Sequence, residues 1–528
     1  MGNIRVLDCT LRDGGYCNQW AFGLDNTKRI VNCLSEAGIE IIECGFLTEK
    51  TPMVGTTKFS SMEEMAKILP KNREGKMFVC MINYGEYSIE NLPQRVPKFV
   101  DGIRVAFHQK DAKAAVEFCR QIQECGYKAF VQPMMTMNYS EEAFWELIQA
   151  VNEAKPYAFY IVDSFGVMKR KDLLRLYHTV EEKLSIDICI GYHSHNNMQL
   201  AYSNAQAFVD KGSLHERIID SSVFGMGRGA GNLNTELFVE YLNDNFDTEY
   251  NLKPLLIIID EILNDFYEKN RWGYSLPNYL SAKHKAHPNY ASHLDAKKTL
   301  TVECMDEIFL MMAEDKKINF DKNYIEELYI KYMTRGETQE SNLLDFSQRI
   351  HGRDVLIIAP GKSSLDEQEK VIAYAQEKKL LTFSVNFEYS ELETDYIFLS
   401  NLRRFRELST ASYNKCIATS NIPMAEAYIT VNYEELLNDA EFVRDNSSLM
   451  LIAYLMRMGV KKVYLAGLDG YSIDPTQNFA DQKMNFYAKT TRFEGMNAGL
   501  NRVLEEYAET IEIEFVTTPK YVVLKGKN

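Results

Sequence analysis

No two of the ten cysteines form a Cys-x-x-Cys pair, and no apolar run approaches the roughly 18 residues of a membrane span. The first absence argues against a structural zinc site, the second against an integral membrane protein. A Lys/Arg block is also missing. With 59 basic against 74 acidic residues the net charge is -15, which makes nucleic acid and anionic membranes poor partners. The first residues, MGNIRVLDCTLRDGG, lack the apolar core of a secretory signal. These absences lead to the expectation of a cytoplasmic protein with reduced thiols, several of them (Cys9, Cys44, Cys80, Cys189) inside apolar strand-like runs. There is no low-complexity tract.

What the chain does have is ample core material. Hydrophobic residues make up 46% and charged ones 25%, ordinary globular values. Its 528 residues exceed what one core usually organises, so two or three domains are expected.

From residue 1 to about 245, β-rich runs recur at Ile4-Cys9, Ile39-Cys44, Met77-Ile82, Gly102-Phe107, Ala129-Pro133, Phe159-Val162, Ile186-Gly191 and Ile218-Ser222. Most are continuously apolar, as strands buried on both faces should be. Segments of helical period, such as Thr27-Ala37 and Ala112-Cys125, lie between them. Eight strand-helix repeats predict a (β/α)8 TIM barrel over residues 1–250, with a doubly wound open sheet as the alternative. Residues 251–340 read as a helical extension, with Thr334-Glu340 as a linker, and residues 341–528 as a Rossmann-like α/β domain.

Three motifs carry the chemistry. Thr10-Leu11-Arg12-Asp13-Gly14-Gly15 closes the first strand, so Arg12 and Asp13 should reach the barrel face that collects active-site loops. His193 and His195, two apart at the end of the seventh, should turn both rings to the same side. Asp plus two His leaves open positions on a divalent metal, with Mn or Mg expected and Co or Zn as alternatives. The third motif, Gly225 to Asn232, packs four glycines into the seven residues Gly225 to Gly231; its backbone, Gly229 included, can approach an anionic substrate, and Asn232 can offer an amide oxygen.

Together TLRDGG, HSHNN and GRGAGN resemble the signatures of the DRE-TIM metallolyases, which include 4-hydroxy-2-oxovalerate aldolases, 3-hydroxy-3-methylglutaryl-CoA lyases and 2-isopropylmalate and homocitrate synthases. The resemblance covers residues 4 to about 245. It implies a metal on Asp13, His193 and His195 with Asn232 as a further ligand, Arg12 stabilising an enolate oxygen, and a small carboxylate substrate cleaved or formed at a carbon-carbon bond beside a 2-oxo group. A homo-oligomer is expected. The alternatives are a Claisen-type synthase using an acyl-CoA, and a nucleotide- or nucleotide-sugar-utilising protein whose main role lies in the C-terminal domain.

The departures concern the acid/base group. Hydroxy-oxovalerate aldolases carry a His shortly after the Arg-Asp pair where this chain has Tyr16, and the cysteine that acyl-CoA lyases place in the glycine loop is missing. Tyr16 and His108, the latter at the fourth strand end, are the acid/base candidates. Glu43 is read as bracing the site or orienting substrate, and Asp163 and Ser164 as holding a substrate carboxylate or supporting the groups that do. The Trp272-Gly273-Tyr274, Tyr279-Leu280-Ser281-Ala282 and His287-Pro288-Asn289-Tyr290 segments resemble the lid of related aldolases.

In the C-terminal domain, Ala359-Pro360-Gly361-Lys362-Ser363 suggests a P-loop, but Leu356 occupies the position of the required upstream glycine, so a Walker A site is rejected. Residues 448–470 loosely resemble sialyltransferase-type and pterin-pyrophosphokinase-like nucleotide-binding domains.

Overall fold

The computed structural model describes all residues except 1–2, 51–54, 298–299, 336–341, 423–426, 487, 489 and 524–528. The chain divides into two compact units, one comprising Met1–Ser292 with Ala313–Phe320 and the other His293–Met312 with Asp321–Asn528. The expected helical extension over 251–340 is therefore shared between them. From residue 336 on, the expected linker lies outside the described residues.

The first unit is an eight-stranded parallel barrel. Its strands are β1 (Ile4–Asp8), β2 (Ile41–Leu47), β4 (Met77–Asn83), β5 (Gly102–Phe107), β6 (Lys128–Pro133), β7 (Ala158–Asp163), β8 (Cys189–Ser194) and β9 (Arg217–Ser221), with a two-residue strand β3 (Lys58–Phe59) appended to β2. Neighbours pair in sequence order, and β1 closes the cylinder by pairing with both β2 and β9, at Leu7↔Ile41 and Leu7↔Asp220. The alternation of side chains across each strand explains the continuous apolar runs. Leu7, Ile41, Val79, Phe130 and Tyr160 fill the barrel interior, whereas Val6, Ile42, Phe78 and Ile103 face the surrounding helices. The seventh barrel strand begins and ends three residues later than the sequence suggested. That shift places His193 inside β8.

The second unit carries a seven-stranded, wholly parallel sheet: β10 (Val355–Ile358), β11 (Leu381–Val385), β12 (Tyr396–Leu399), β13 (Cys416–Thr419), β14 (Ile429–Val431), β15 (Lys462–Ala466) and β16 (Glu512–Phe515). Their order is β14-β13-β12-β11-β10-β15-β16. The chain thus builds outward from β10 in one direction, returns, and continues from β15 in the other. Three-residue β14 was too short to be read from the sequence. No helix among the described residues is long and apolar enough to cross a membrane.

Candidate active site

Immediately after β1, residues 10–14 fold into tight turns, with Arg12 and Asp13 N–H groups both bonded to Cys9 O. Both side chains are thereby turned into the barrel, where Arg12 is 5% and Asp13 1% exposed. From β8, the Nε2 atoms of His193 and His195 reach Asp13 Oδ2 at 3.3 and 3.6 Å, the two rings standing perpendicular.

These groups belong to a closed circuit of buried charge. Arg12 Nη1 lies 3.2 Å from Asp13 Oδ2, and Arg12 Nε donates to Glu43 Oε2 at 2.8 Å. Arg104 Nη1 meets the same Glu43 oxygen at 2.9 Å, and Arg104 Nη2 pairs with Asp220. Asp220 Oδ2 accepts from His193 Nδ1 at 2.9 Å, and His193 returns the circuit to Asp13. Strands β2, β5, β8 and β9 and the turn after β1 each contribute. Their side chains meet only because the barrel closes.

Three carboxylates against two guanidinium groups leave the circuit with a formal charge of -1 when His193 is neutral. The protonation preferences follow. Burial alone would lower the basicity of His193, yet the flanking Asp13 and Asp220 hold it above its usual value. Burial would likewise raise Asp13, but Arg12 and the two histidines keep its carboxyl well below the ordinary range. His195 is pushed down to about 3, first by burial, so its imidazole is neutral with a lone pair to offer.

The unspent atoms fit a cation. Asp13 Oδ1, Asn232 Oδ1 and His195 Nδ1 are buried with no hydrogen-bond partner. Asn232 spends its amide nitrogen on Met226 O at 3.1 Å, leaving the oxygen buried and unspent, and it bridges His195 across a short antiparallel contact. Among the described residues, the His, Cys, Asp and Glu donor atoms that all lie within 4.8 Å of one another are Cys9 Sγ, an Asp13 oxygen and a His193 nitrogen; His195 stands outside that set. Burial holds the Cys9 proton on, pushing its thiol well above the usual range. One atom of Arg12 is also unspent: its Nη2 is buried and unpartnered.

The glycine loop owes its composition to self-contact. A Cβ at Gly231, where φ is +84°, would sit 1.9 Å from Gly225 O. One at Gly229 would meet Asn197 Oδ1 at 2.7 Å, the atom that receives Ala230 N–H. Trp272 donates to Phe224 O at 2.9 Å and packs its ring on Phe224, so it anchors this loop, while Tyr274 is exposed.

Residues 98–262 match the family model HMGL-like. The chain is 29% identical over 246 residues to a 4-hydroxy-2-oxovalerate aldolase of Geobacillus genomosp. 3, an alignment covering 46% of this chain and 70% of that one. It is 28% identical over 244 residues to the enzyme of the same name from Thermomicrobium roseum, covering 45% and 66%. Among solved structures, the N-terminal domain of a candidate aldolase from Bacteroides vulgatus is similar at 27% identity, with a TM-score of 0.48, over 55% of this chain and 96% of that one.

The remaining predicted residues are distributed around this centre. Tyr16 is 41% exposed; its ring packs edge-on against Trp20, with the Arg228 guanidinium 5.3 Å from its centroid. Asp163 spends both oxygens on the N–H groups of Val167 and Met168, each at 2.9 Å, shaping its own loop. Ser164 Oγ accepts from Met135 N. His108 lines a separate pocket of about 530 Å³ with Met134, Met135, Asn138 and Tyr139, which none of the circuit residues enters. Sequence reasoning missed Arg104, an arginine in the middle of the apolar run Gly102–Phe107, and left Asp220, inside the predicted strand Ile218-Ser222, without a role. His287 was noted only as part of a lid. Its Nε2 lies 3.3 Å from Arg228 Nη1, and burial drives it down to about 3.

Proposed function

We propose that the barrel is a divalent-metal-dependent carbon-carbon lyase that cleaves, or in reverse forms, the bond beside the carbonyl of a 2-oxo acid. The observation that carries this reading is the buried, formally negative circuit, whose unspent atoms Asp13 Oδ1 and Arg12 Nη2, with Asn232 Oδ1 beside it, are those needed by a cation and a developing oxyanion. The likeness to 4-hydroxy-2-oxovalerate aldolases supports it.

Asp13, His193, His195 and Asn232 would hold the ion. When bound, it supplies Lewis-acid polarisation of the substrate carbonyl. Glu43 and Asp13 take two edges of the Arg12 guanidinium and leave Nη2 to donate to the oxygen on which enolate charge develops. Arg228 meets a histidine nitrogen, the Ser164 carbonyl and the face of Tyr16; this leaves a cation for the substrate carboxylate. Tyr16 and His287, on either side of Arg228, are the groups offered for proton transfer at the hydroxyl whose deprotonation starts cleavage.

The test is pyruvate release from a panel of 4-hydroxy-2-oxo acids with added Mn or Mg. Release from at least one, abolished by chelation, is expected. No pyruvate from any member would overturn the reading.

A further inference from the structure

The second unit contains a cleft of about 1070 Å³, lined wholly by its own residues. It opens where the sheet reverses its order. From β10 the chain proceeds to β11 and outward; from β15 it proceeds to β16 on the opposite side. Connections leaving in opposite directions open a crevice at the carboxyl ends of these strands, the place where open α/β sheets receive ligands. Ala359-Pro360-Gly361 and Gly467-Leu468-Asp469 form its floor. The two turns touch so closely that a Cβ at Gly361 would lie 2.1 Å from Gly467 O.

The usual phosphate position at such a crevice, the start of the first helix, is already filled. Asp469 Oδ2 accepts Ser363 N–H at 2.8 Å, its other oxygen takes the Ser363 hydroxyl, and the side chain is 3% exposed. An anion must therefore bind elsewhere in the cleft, and the charges there show where. Of the other lining carboxylates, Asp439 is engaged by Arg502, Glu441 by Lys322, Glu326 by Lys297, and Asp445 by the hydroxyls of Tyr329 and Tyr433, while Asp295 and Asp445 lie near enough to Arg492 to act on its charge. Among the described residues Arg403, Lys483 and Arg492 line the cleft without a carboxylate in salt-bridge range. Arg492 Nε, moreover, is buried with no partner. Opposite in character is an aromatic wall, Tyr471, Phe479 and Phe486, whose ring centroids lie 6.1 to 6.3 Å apart. Asn386 and Ser447, hydrogen-bonded to each other at the ends of β11 and a helix, add polar groups.

We propose that this cleft is a nucleotide site, distinct from the barrel chemistry, in which Arg403, Lys483 and Arg492 receive the phosphate and the aromatic wall receives the base. Its volume slightly exceeds the range for ligand pockets, about 300–1000 Å³, so a group carried on the nucleotide has room. Three cations without a carboxylate partner call for an anion, and flat rings beside them call for a base that can stack.

Calorimetric titration of the full chain with nucleoside mono- and diphosphates of the four common bases tests this, with inorganic phosphate and pyrophosphate as the second arm. The expected result is one-to-one binding of at least one nucleotide, tenfold or more tighter than pyrophosphate. Arg403→Ala, at an exposed position, and the milder Arg492→Lys should each weaken it at least tenfold with the circular dichroism spectrum unchanged. Absence of nucleotide binding, pyrophosphate binding as tight as any nucleotide, or wild-type affinity in both variants would each overturn the proposal.

Discussion

His193 stands between two carboxylates, its Nδ1 2.9 Å from Asp220 Oδ2 and its Nε2 3.3 Å from Asp13 Oδ2. With Asp220 ionised, the Nδ1–H donates to it, and the Nε2 lone pair is presented to the Asp13 side. Asp220 thus sets the tautomer of a proposed metal ligand without touching the metal. Asp220→Asn removes the charge and should lower divalent-cation affinity about 10- to 100-fold. Titration of wild type and variant with Mn measures the difference; equal affinities would show that the contact does not orient the ring.

Arg104 carries the circuit across the barrel interior, paired with Glu43 and Asp220 and fully buried. Arg104→Met preserves the stem but leaves Asp220 with only His193 and Glu43 with only Arg12. Breaking a buried pair in this way costs about 3–5 kcal/mol. Denaturant unfolding followed by tryptophan fluorescence measures the loss. All three tryptophans (Trp20, Trp145, Trp272) lie in the first unit, so the signal reports the barrel alone.

Arg12 divides its guanidinium among Glu43, Asp13 and an unspent Nη2. Lysine keeps the charge but cannot serve three directions from one ammonium. Arg12→Lys should reduce kcat about 100- to 1000-fold, the loss typical of removing one oxyanion donor, with Mn affinity changed only a few-fold. A parallel collapse of both quantities would assign Arg12 to holding the site together instead.

Asp163 makes a pH prediction. Burial raises its carboxyl to about 6 from an ordinary 3.8, against the opposing pull of the Met168 and Val167 N–H groups. The folded state therefore holds this proton more tightly than the unfolded state. The resulting stabilisation is complete below pH 3.8 and is lost as pH rises through 6. Relative to wild type, Asp163→Asn should gain up to about 3 kcal/mol between pH 4 and 7. Urea curves at the two pH values check it; a difference that does not change with pH would contradict it.

The fold was readable because most barrel strands are largely apolar on both faces, a pattern that survives without knowledge of neighbours. The motif residues were readable for a related reason: Arg12, Asp13, His193 and His195 sit at strand ends, where polar side chains interrupt the apolar runs. What stayed hidden depends on closure. Glu43 was placed near the site but not between two arginines, because Arg12 and Arg104 come to it from elements 92 residues apart in sequence. Arg104 did leave a signal, a charged side chain inside an otherwise apolar strand, which demands a buried counter-charge. Tyr16, following the Arg-Asp pair, and His108, at the fourth strand end, both read as acid/base candidates; only the three-dimensional arrangement separates Tyr16, beside Arg228, from His108 in its own pocket.

The central claim, that the buried circuit holds a divalent cation and develops enolate charge on a 2-oxo acid, is tested most directly by proton exchange. Incubated with pyruvate in deuterated water, the protein with Mn or Mg should exchange the methyl protons, followed by nuclear magnetic resonance. Chelation should abolish the exchange, and Arg12→Lys should slow it about 100-fold or more. Exchange no faster than in the protein-free control with any of these metals would contradict the account.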